Sequence, residues 1–426
     1  MTWKERILLL LMAAINFTHI LDFMVMMPLG NFLMPYFNIS PQEFSVVVAS
    51  YSIAAAISGF SAAFYVDQFD RKKVLLFGYT GFVIGTICCG IAPTYHLLLI
   101  SRIVAGLFGG LIGAQVMSIV ADSFSYQRRA SAMGILFSAF SLASIVGVPI
   151  SLFLAGKFSW HAPFLLIGGL GAVVILAVNR FLPAMKSHLE GAKGIKENPI
   201  NMIKNLLANR QQVTALLLSG SLMLGHFLII PFLNPYMEMN VGFNAWQRNL
   251  VYMVGGVASF IASPLIGKLA DKYGKHRIFY IFCFLSLIPI FLITNMPAIK
   301  YYFVLTVTGI WFALSSGRGI PAQAIISNVV KPEQRGSFMS FNSCIQQLFT
   351  GLASLIAGMI VLVAPNGKIL HYPIVGYISV AIVFACIFIA KMIHVVPEPA
   401  FQPVSIATDT QDIVGVGVRN TENSYK

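Results

Sequence analysis

The chain has 426 residues, of which 57% are hydrophobic and only 10% charged, with a mean hydropathy of +0.80. A water-soluble domain carries roughly 25% charged residues, so the composition excludes one and predicts an integral membrane protein. The formal net charge of +13 does not point to nucleic acid, because Lys and Arg cluster in short loops that recur on one side of the membrane.

The apolar runs last about 20 residues, the length of a membrane-crossing helix and not of a barrel strand. In chain order they predict twelve spans, at 7–29, 44–66, 74–93, 97–121, 131–155, 163–184, 213–236, 247–269, 278–296, 301–329, 338–363 and 372–394. Lys4 and Arg6 precede a full-length first run with no small-residue cleavage site after it, so no cleaved signal is expected.

Asp22 lies some 15 residues into the first run, whereas the other acidic residues fall near span ends, in loops or in the tail. A carboxylate in hydrocarbon is costly, and one that persists there usually faces a cavity and carries a pathway function. Hydrocarbon disfavours the charged form of an acid, so a carboxylate at that depth can take a proton from one side and release it to the other. The alternative is a carboxylate hydrogen-bonded between helices with no transport role. His19 and Asn16 precede Asp22 at successive spacings of three, which makes a polar stripe on one helical face. Arg102 in span 4 sits about 8 Å below the outer surface, and Asp22 about 22 Å from the opposite one. In a core about 30 Å thick the two share a height and could pair; a snorkelling Arg102 is the other reading.

In the second half, His226 in span 7 occupies nearly the place of Asp22; either histidine could join a proton relay or simply pack. Arg318 in span 10 is too deep to snorkel easily and is read as an anion-binding or substrate-orienting group, with a purely structural role as the alternative. Asn16, Gln115, Gln323, Asn342, Gln346 and Gln347 are candidate cavity hydrogen-bonders, although polar side chains also hold helices together. Gly106, Gly109, Gly110 and Gly113 suit close helix approach. The five cysteines all lie in apolar runs and read as core residues, not a metal cluster or disulfide framework. No metal site is expected.

The two halves repeat. Asp67 and the basic residues after it are answered by Asp271 at an offset of 204, Pro28 and Asn31 by Pro231 and Asn234 at 203, Gln115 by Gln323 at 208, and Arg129 by Arg335 at 206. The expected domains are a six-helix half at 1–184, a cytoplasmic linker at 185–212, a second six-helix half at 213–395, and a disordered tail at 396–426. Within the linker, 199–207 forms either a short helix on the membrane surface or plain linker. Parallel repeats of this kind place a substrate site at their interface and give alternating access by rocking. An even number of spans puts both termini on one side, and the basic loops make that side cytoplasmic.

The run from Gly267 through Asp271, Gly274 and Lys275 to Arg277 resembles the cytoplasmic-loop signature of the major facilitator superfamily. The first-half copy keeps Asp67, Arg71 and Lys72 but has Ala63 and Asp70 where the signature has glycine. Arg102 and Gly106 are similar to the family's span-4 element, and Gly147 with Pro149 to the core of its proton-antiporter motif. The resemblance, strongest to bacterial drug and sugar efflux permeases, implies an all-α fold of two six-helix halves with spans 1, 4, 7 and 10 around a central cavity. It also implies conformational latches on the cytoplasmic side at Asp67, Arg71, Lys72, Asp122, Asp271, Lys275 and Arg277.

These readings predict a monomeric transporter in the inner membrane that exports a small organic molecule, drug-like or sugar-like, in exchange for protons. Its proton-coupling residues would be Asp22, Arg102, His19 and His226. A facilitator or uptake symporter on the same fold is the alternative. No phosphate-binding glycine loop is present, so ATP is not the energy source, and no nucleophile–base or metal constellation marks an enzyme. The expected partners are substrate, protons and the lipid bilayer, with no cofactor and no nucleic acid.

Overall fold

A computed structural model describes residues 3–62, 64, 68–124, 132, 135–136, 138–183, 185, 199–330 and 335–393. Among these residues, twelve helices are long and apolar enough to cross a membrane: Trp3–Met26, Pro41–Ala62, Arg71–Gly90, Tyr95–Val120, Ser138–Lys157, His161–Phe181, Arg210–Met239, Ala245–Tyr273, Lys275–Thr294, Tyr301–Ser327, Phe338–Ile360 and Tyr372–Lys391. Helices are expected because, in lipid, each backbone N–H and C=O must find its partner within the segment. We number these spans 1–12 and call the face carrying Trp3 and Lys391 the terminal face, the other the distal face. Span ends agree with the hydropathy reading to within a few residues, the start of span 5 aside, which falls among residues only partly described. Most of 125–137, like the tail from 394, lies outside the described residues.

Local chemistry sets the ends. Span 7 starts at Arg210 because Asn209 accepts from the backbone N–H groups of Gln211 and Gln212 at 3.0 and 3.2 Å, an N-cap. The preceding helix, Pro199–Ala208, takes the helical of the two readings for that stretch. The two copies of the loop signature turn differently. Gly274 has φ +96, a conformation that favours glycine. Asp70, its repeat counterpart, has φ −56 and instead caps span 3 by accepting from Lys72 N–H at 2.9 Å. A glycine is therefore not needed there.

Spans 1 and 7 are both broken at repeat-related places. Span 1 ends at Met26 and a short helix, Gly30–Phe37, continues it. Span 7 breaks after Phe227 and resumes over Ile230–Met239. Pro28 and Pro231 lie at these breaks, where a missing N–H interrupts the helical ladder. Span 5 carries a π-helical turn at Ala143–Gly147 just before Pro149, a bulge where one proline frees a carbonyl.

Span 2 packs between span 4 and span 11, and span 8 packs against spans 5 and 10. Small residues permit this. A Cβ on Gly106 would sit 2.9 Å from Tyr51 Cα, and one on Gly85 would sit 2.7 Å from the Ala105 nitrogen. Gly109 and Gly110 likewise face span 2, but Gly113 has open space around it and is not a contact glycine. On the distal face a two-stranded hairpin pairs Leu362–Val363 with Ile369–Leu370. Asn240 braces it through two hydrogen bonds of 2.9 Å with Ile369.

Candidate functional site

A cavity of about 360 Å³ lies between spans 1, 2, 5, 7, 8, 10 and 11. Its wall is apolar and aromatic toward the distal face, where Phe23 of span 1 and Phe227 of span 7 meet edge to face at 5.6 Å. Polar groups enter from spans 1, 7, 8, 10 and 11, among them His19, His226, Ser259, Ser315, Arg318, Ser343, Gln346 and Gln347.

Asp22 does not line this cavity. It is fully buried one layer behind it, where Arg102 Nη1 donates to Oδ2 at 2.7 Å and Thr86 Oγ1 donates to Oδ1 at 3.1 Å. Arg102 is 0% exposed, so the snorkelling reading does not hold. Depth alone permitted both readings, and the carboxylate draws the guanidinium inward. On its other side the Arg102 guanidinium lies 4.4 Å from the centre of the Tyr51 ring, a cation–π contact. Tyr51 also lines the cavity and touches the His19 and Phe23 rings at 6.3 and 6.0 Å. The ring thus forms the partition between the ion pair and the cavity. Gly147 packs on Leu21, one residue from Asp22, where a Cβ would approach Leu21 Cδ1 to 2.6 Å.

The second-half polar groups are arranged differently. The Arg318 guanidinium donates from Nη1 to Ser286 Oγ at 3.2 Å, while Nη2 has no partner. Pro321 supplies no N–H to the Gly317 carbonyl, which loosens the helix beside Arg318. His226 stacks on Trp311 at 5.0 Å. Gln346 donates to Ser219 Oγ at 2.9 Å and to Gln323 Oε1 at 3.4 Å.

Four expected cavity residues do not line it. Asn16 donates to the Leu136 carbonyl at 2.9 Å and joins span 1 to span 5. Gln115 and Asn342 are buried among helices and do not line the cavity. Gln323 is exposed and off the wall, and accepts from the wall residue Gln346. Hydropathy fixes depth along a helix but not the direction in which a side chain points, and Asn16, Gln115 and Asn342 point into helix packing.

The latch residues are scattered. Asp67 and the side chain of Asp122 lie outside the described residues. Lys72 Nζ bonds the Asn179 and Leu182 carbonyls at 3.1 and 2.5 Å, closing the end of span 6. Arg71 N–H donates to the Met185 carbonyl at 3.3 Å. Asp271 and Arg277 are exposed and Lys275 half-buried, and none of the three is in an ion pair among the described residues.

The sequence reading missed a closure on the distal face. Asn234 Nδ2 donates to the Pro28 carbonyl at 2.6 Å and to Asn31 Oδ1 at 3.4 Å. Asn31 in turn donates to Glu238 Oε2, which also accepts from Arg248 Nη1 at 2.5 Å. The two copies of the Pro-x-x-Asn repeat therefore meet each other. Their offset was the available signal, though it was used only as a mark of duplication.

Twelve spans, seven of them enclosing a cavity with a charged pair held behind its wall, define a multi-pass membrane protein of transporter build. Comparison supports this. The sequence profile of the Major Facilitator Superfamily matches residues 12–322. The chain is 23% identical over 346 residues to the uncharacterized MFS-type transporter YceJ of Bacillus subtilis (strain 168), covering 80% of this chain and 85% of that one. It is 25% identical over 239 residues to a probable sugar efflux transporter of Helicobacter acinonychis, covering 56% and 59%. The solved D-xylose–proton symporter aligns with a TM-score of 0.73 at 17% identity, over 91% of this chain and 98% of that one. A bacterial homolog of the human lysosomal transporter Spinster, in an inward-facing and occupied conformation, gives 0.70 at 14% identity, over 92% and 98%. The chain belongs to the Major Facilitator Superfamily. It is a transporter of small molecules, not an enzyme.

Proposed function

We propose that the protein exports a small organic molecule in exchange for protons. It would do so by alternating access between two six-helix halves, 1–184 and 213–395, joined by the linker 185–212 with both termini cytoplasmic. The observation that carries this reading is the buried Asp22–Arg102 pair behind Tyr51. A proton arriving at Asp22 cancels the attraction that holds Arg102, and Arg102 and the Tyr51 ring then shift together. Because Tyr51 is also cavity wall, protonation of Asp22 and occupancy of the cavity act on the same ring. His19, beside Tyr51 on the wall, is the proton's route between cavity and acid, and His226 faces it from the second half. The distal cluster of Asn31, Asn234, Glu238 and Arg248 closes the outer side while the cavity serves the cytoplasm. Asp67, Arg71, Lys72, Asp122, Asp271, Lys275 and Arg277 latch the cytoplasmic side in the opposite state.

The test is substrate-evoked proton movement in proteoliposomes loaded with a pH-sensitive dye, using a panel of lipophilic cations, sugars and organic anions. Wild type should move protons with substrate, and Asp22→Asn should not. Substrate flux without proton flux, or normal coupling in Asp22→Asn, would make the protein a facilitator and Asp22 structural.

A further inference from the structure

Among the described residues the membrane core holds two deeply buried arginines, Arg102 and Arg318, and they are not equivalent. Arg102 is neutralised by Asp22 at 2.7 Å. Arg318, 2% exposed, donates to one neutral hydroxyl, on Ser286, and its Nη2 has no partner. The ionisable groups near it are Cys283, Cys386 and His226, none of them a carboxylate. A buried cation without a counter-charge is expensive, and proteins rarely keep one away from a functional site. Arg318 is also the one charged side chain on the described cavity wall, which contains no Asp or Glu. His226 Nδ1 and Ser315 Oγ, on the same wall, are likewise buried without partners. Around them the surface is apolar, from Phe23, Phe227, Phe312 and Leu222.

We infer that the cavity takes an organic anion, a monocarboxylate on an apolar or aromatic body. Its carboxylate neutralises Arg318 and engages His226 and Ser315, and its body lies against the phenylalanines. A guanidinium presents paired N–H donors to a carboxylate, and here one donor nitrogen is already unused. Organic cations meet only like charge in this cavity, since Asp22 is spent on Arg102 and screened by Tyr51. Neutral sugars would leave Arg318 uncompensated. A volume of about 360 Å³ is at the small end for ligand sites, which suits one ring or a short chain. The inference rests on the cavity being the transport site, and it makes the proposed exchange electrogenic. One monoanion leaving per proton entering moves two positive charges inward, against one for a neutral substrate and none for a monovalent cation.

The experiment is equilibrium binding to the full chain in lipid nanodiscs. The probes are radiolabelled benzoate, phenylacetate and octanoate, with their methyl esters, benzylamine and sodium chloride as competitors. At least one acid should bind, with its ester at least tenfold weaker and benzylamine inert. Arg318→Ala should lose that binding at least tenfold and Arg318→Lys should keep part of it. Absence of binding by all three acids overturns the inference. So does competition by ester or amine at the acid's own concentration, or undiminished acid binding by Arg318→Ala. Displacement by millimolar chloride at constant ionic strength makes the site one for an inorganic anion, and also overturns it. The acid–ester contrast is read in wild type, so it stands even if Arg318→Ala does not fold. Binding needs no gradient: acids that bind without evoking proton flux remove the antiport reading alone. Proton flux evoked by amines or sugars and indifferent to Arg318 removes the anion alone.

Discussion

Consider replacing Asp22 by Asn and Arg102 by Gln, singly and together. Both side chains are fully buried, and their contact is a 2.7 Å hydrogen-bonded ion pair. Removing one member leaves the other charged and uncompensated in a dry site, which costs about 3–5 kcal/mol. Arg102→Gln also loses the stacking on Tyr51 at 4.4 Å, worth about 2 kcal/mol where the ring and cation are desolvated. The double variant has no stranded charge and should lose little beyond that stacking. The coupling energy from the cycle should therefore be at least about 3 kcal/mol, well above the value of at most about 1 kcal/mol for exposed pairs. All five thiols lie within the helices, Cys89, Cys283 and Cys386 buried and Cys88 and Cys344 half-buried. A thiol-reactive fluorophore thus reports unfolding directly in detergent. All three variants should also fail to move protons with substrate, the double variant despite its restored stability. A coupling energy below about 1 kcal/mol would refute the dry ion pair. Proton coupling in the stable double variant would remove the pair from the proton path.

Other outcomes follow from the same geometry. Asn234→Ala deletes the 2.6 Å bond to the Pro28 carbonyl and should weaken distal closure by about 1–3 kcal/mol. Spin labels at the exposed Tyr36 and Trp246 should then give a longer, broader distance distribution; an unchanged one counts against a distal gate. Gly106→Ala would place its Cβ 2.9 Å from Tyr51 Cα and should destabilise markedly in the thiol assay. Gly113→Ala, with nothing within 4 Å, should be neutral or stabilising by up to about 1 kcal/mol. Gly319 lines the cavity and its Cβ position is empty to 4 Å, so Gly319→Phe should block ligand binding at unchanged melting temperature. A melting temperature that falls with binding would show instead that the site was packing.

Much of this protein was written in the one-dimensional pattern. Length, apolar runs and loop charge determined twelve spans and their ends, because the cost of placing charge or an unpaired backbone group in hydrocarbon is set locally. Asp22, Arg102 and Arg318 stood out for the same reason. What the pattern left undecided was direction around each helix. Lipid is as apolar as the protein's interior, so a membrane helix is apolar on every side and its sequence marks no inward face, unlike a helix at a water boundary. Asn16, Gln115 and Asn342 have the depth of cavity residues, yet they point into neighbouring helices. Asp22 and Arg102 share a height, but only the packing of span 1 against spans 3 and 4 made them a pair with Thr86 and set Tyr51 beyond it. Asn31 and Asn234 are 203 residues apart, and only the folding of one repeat onto the other brought them into contact.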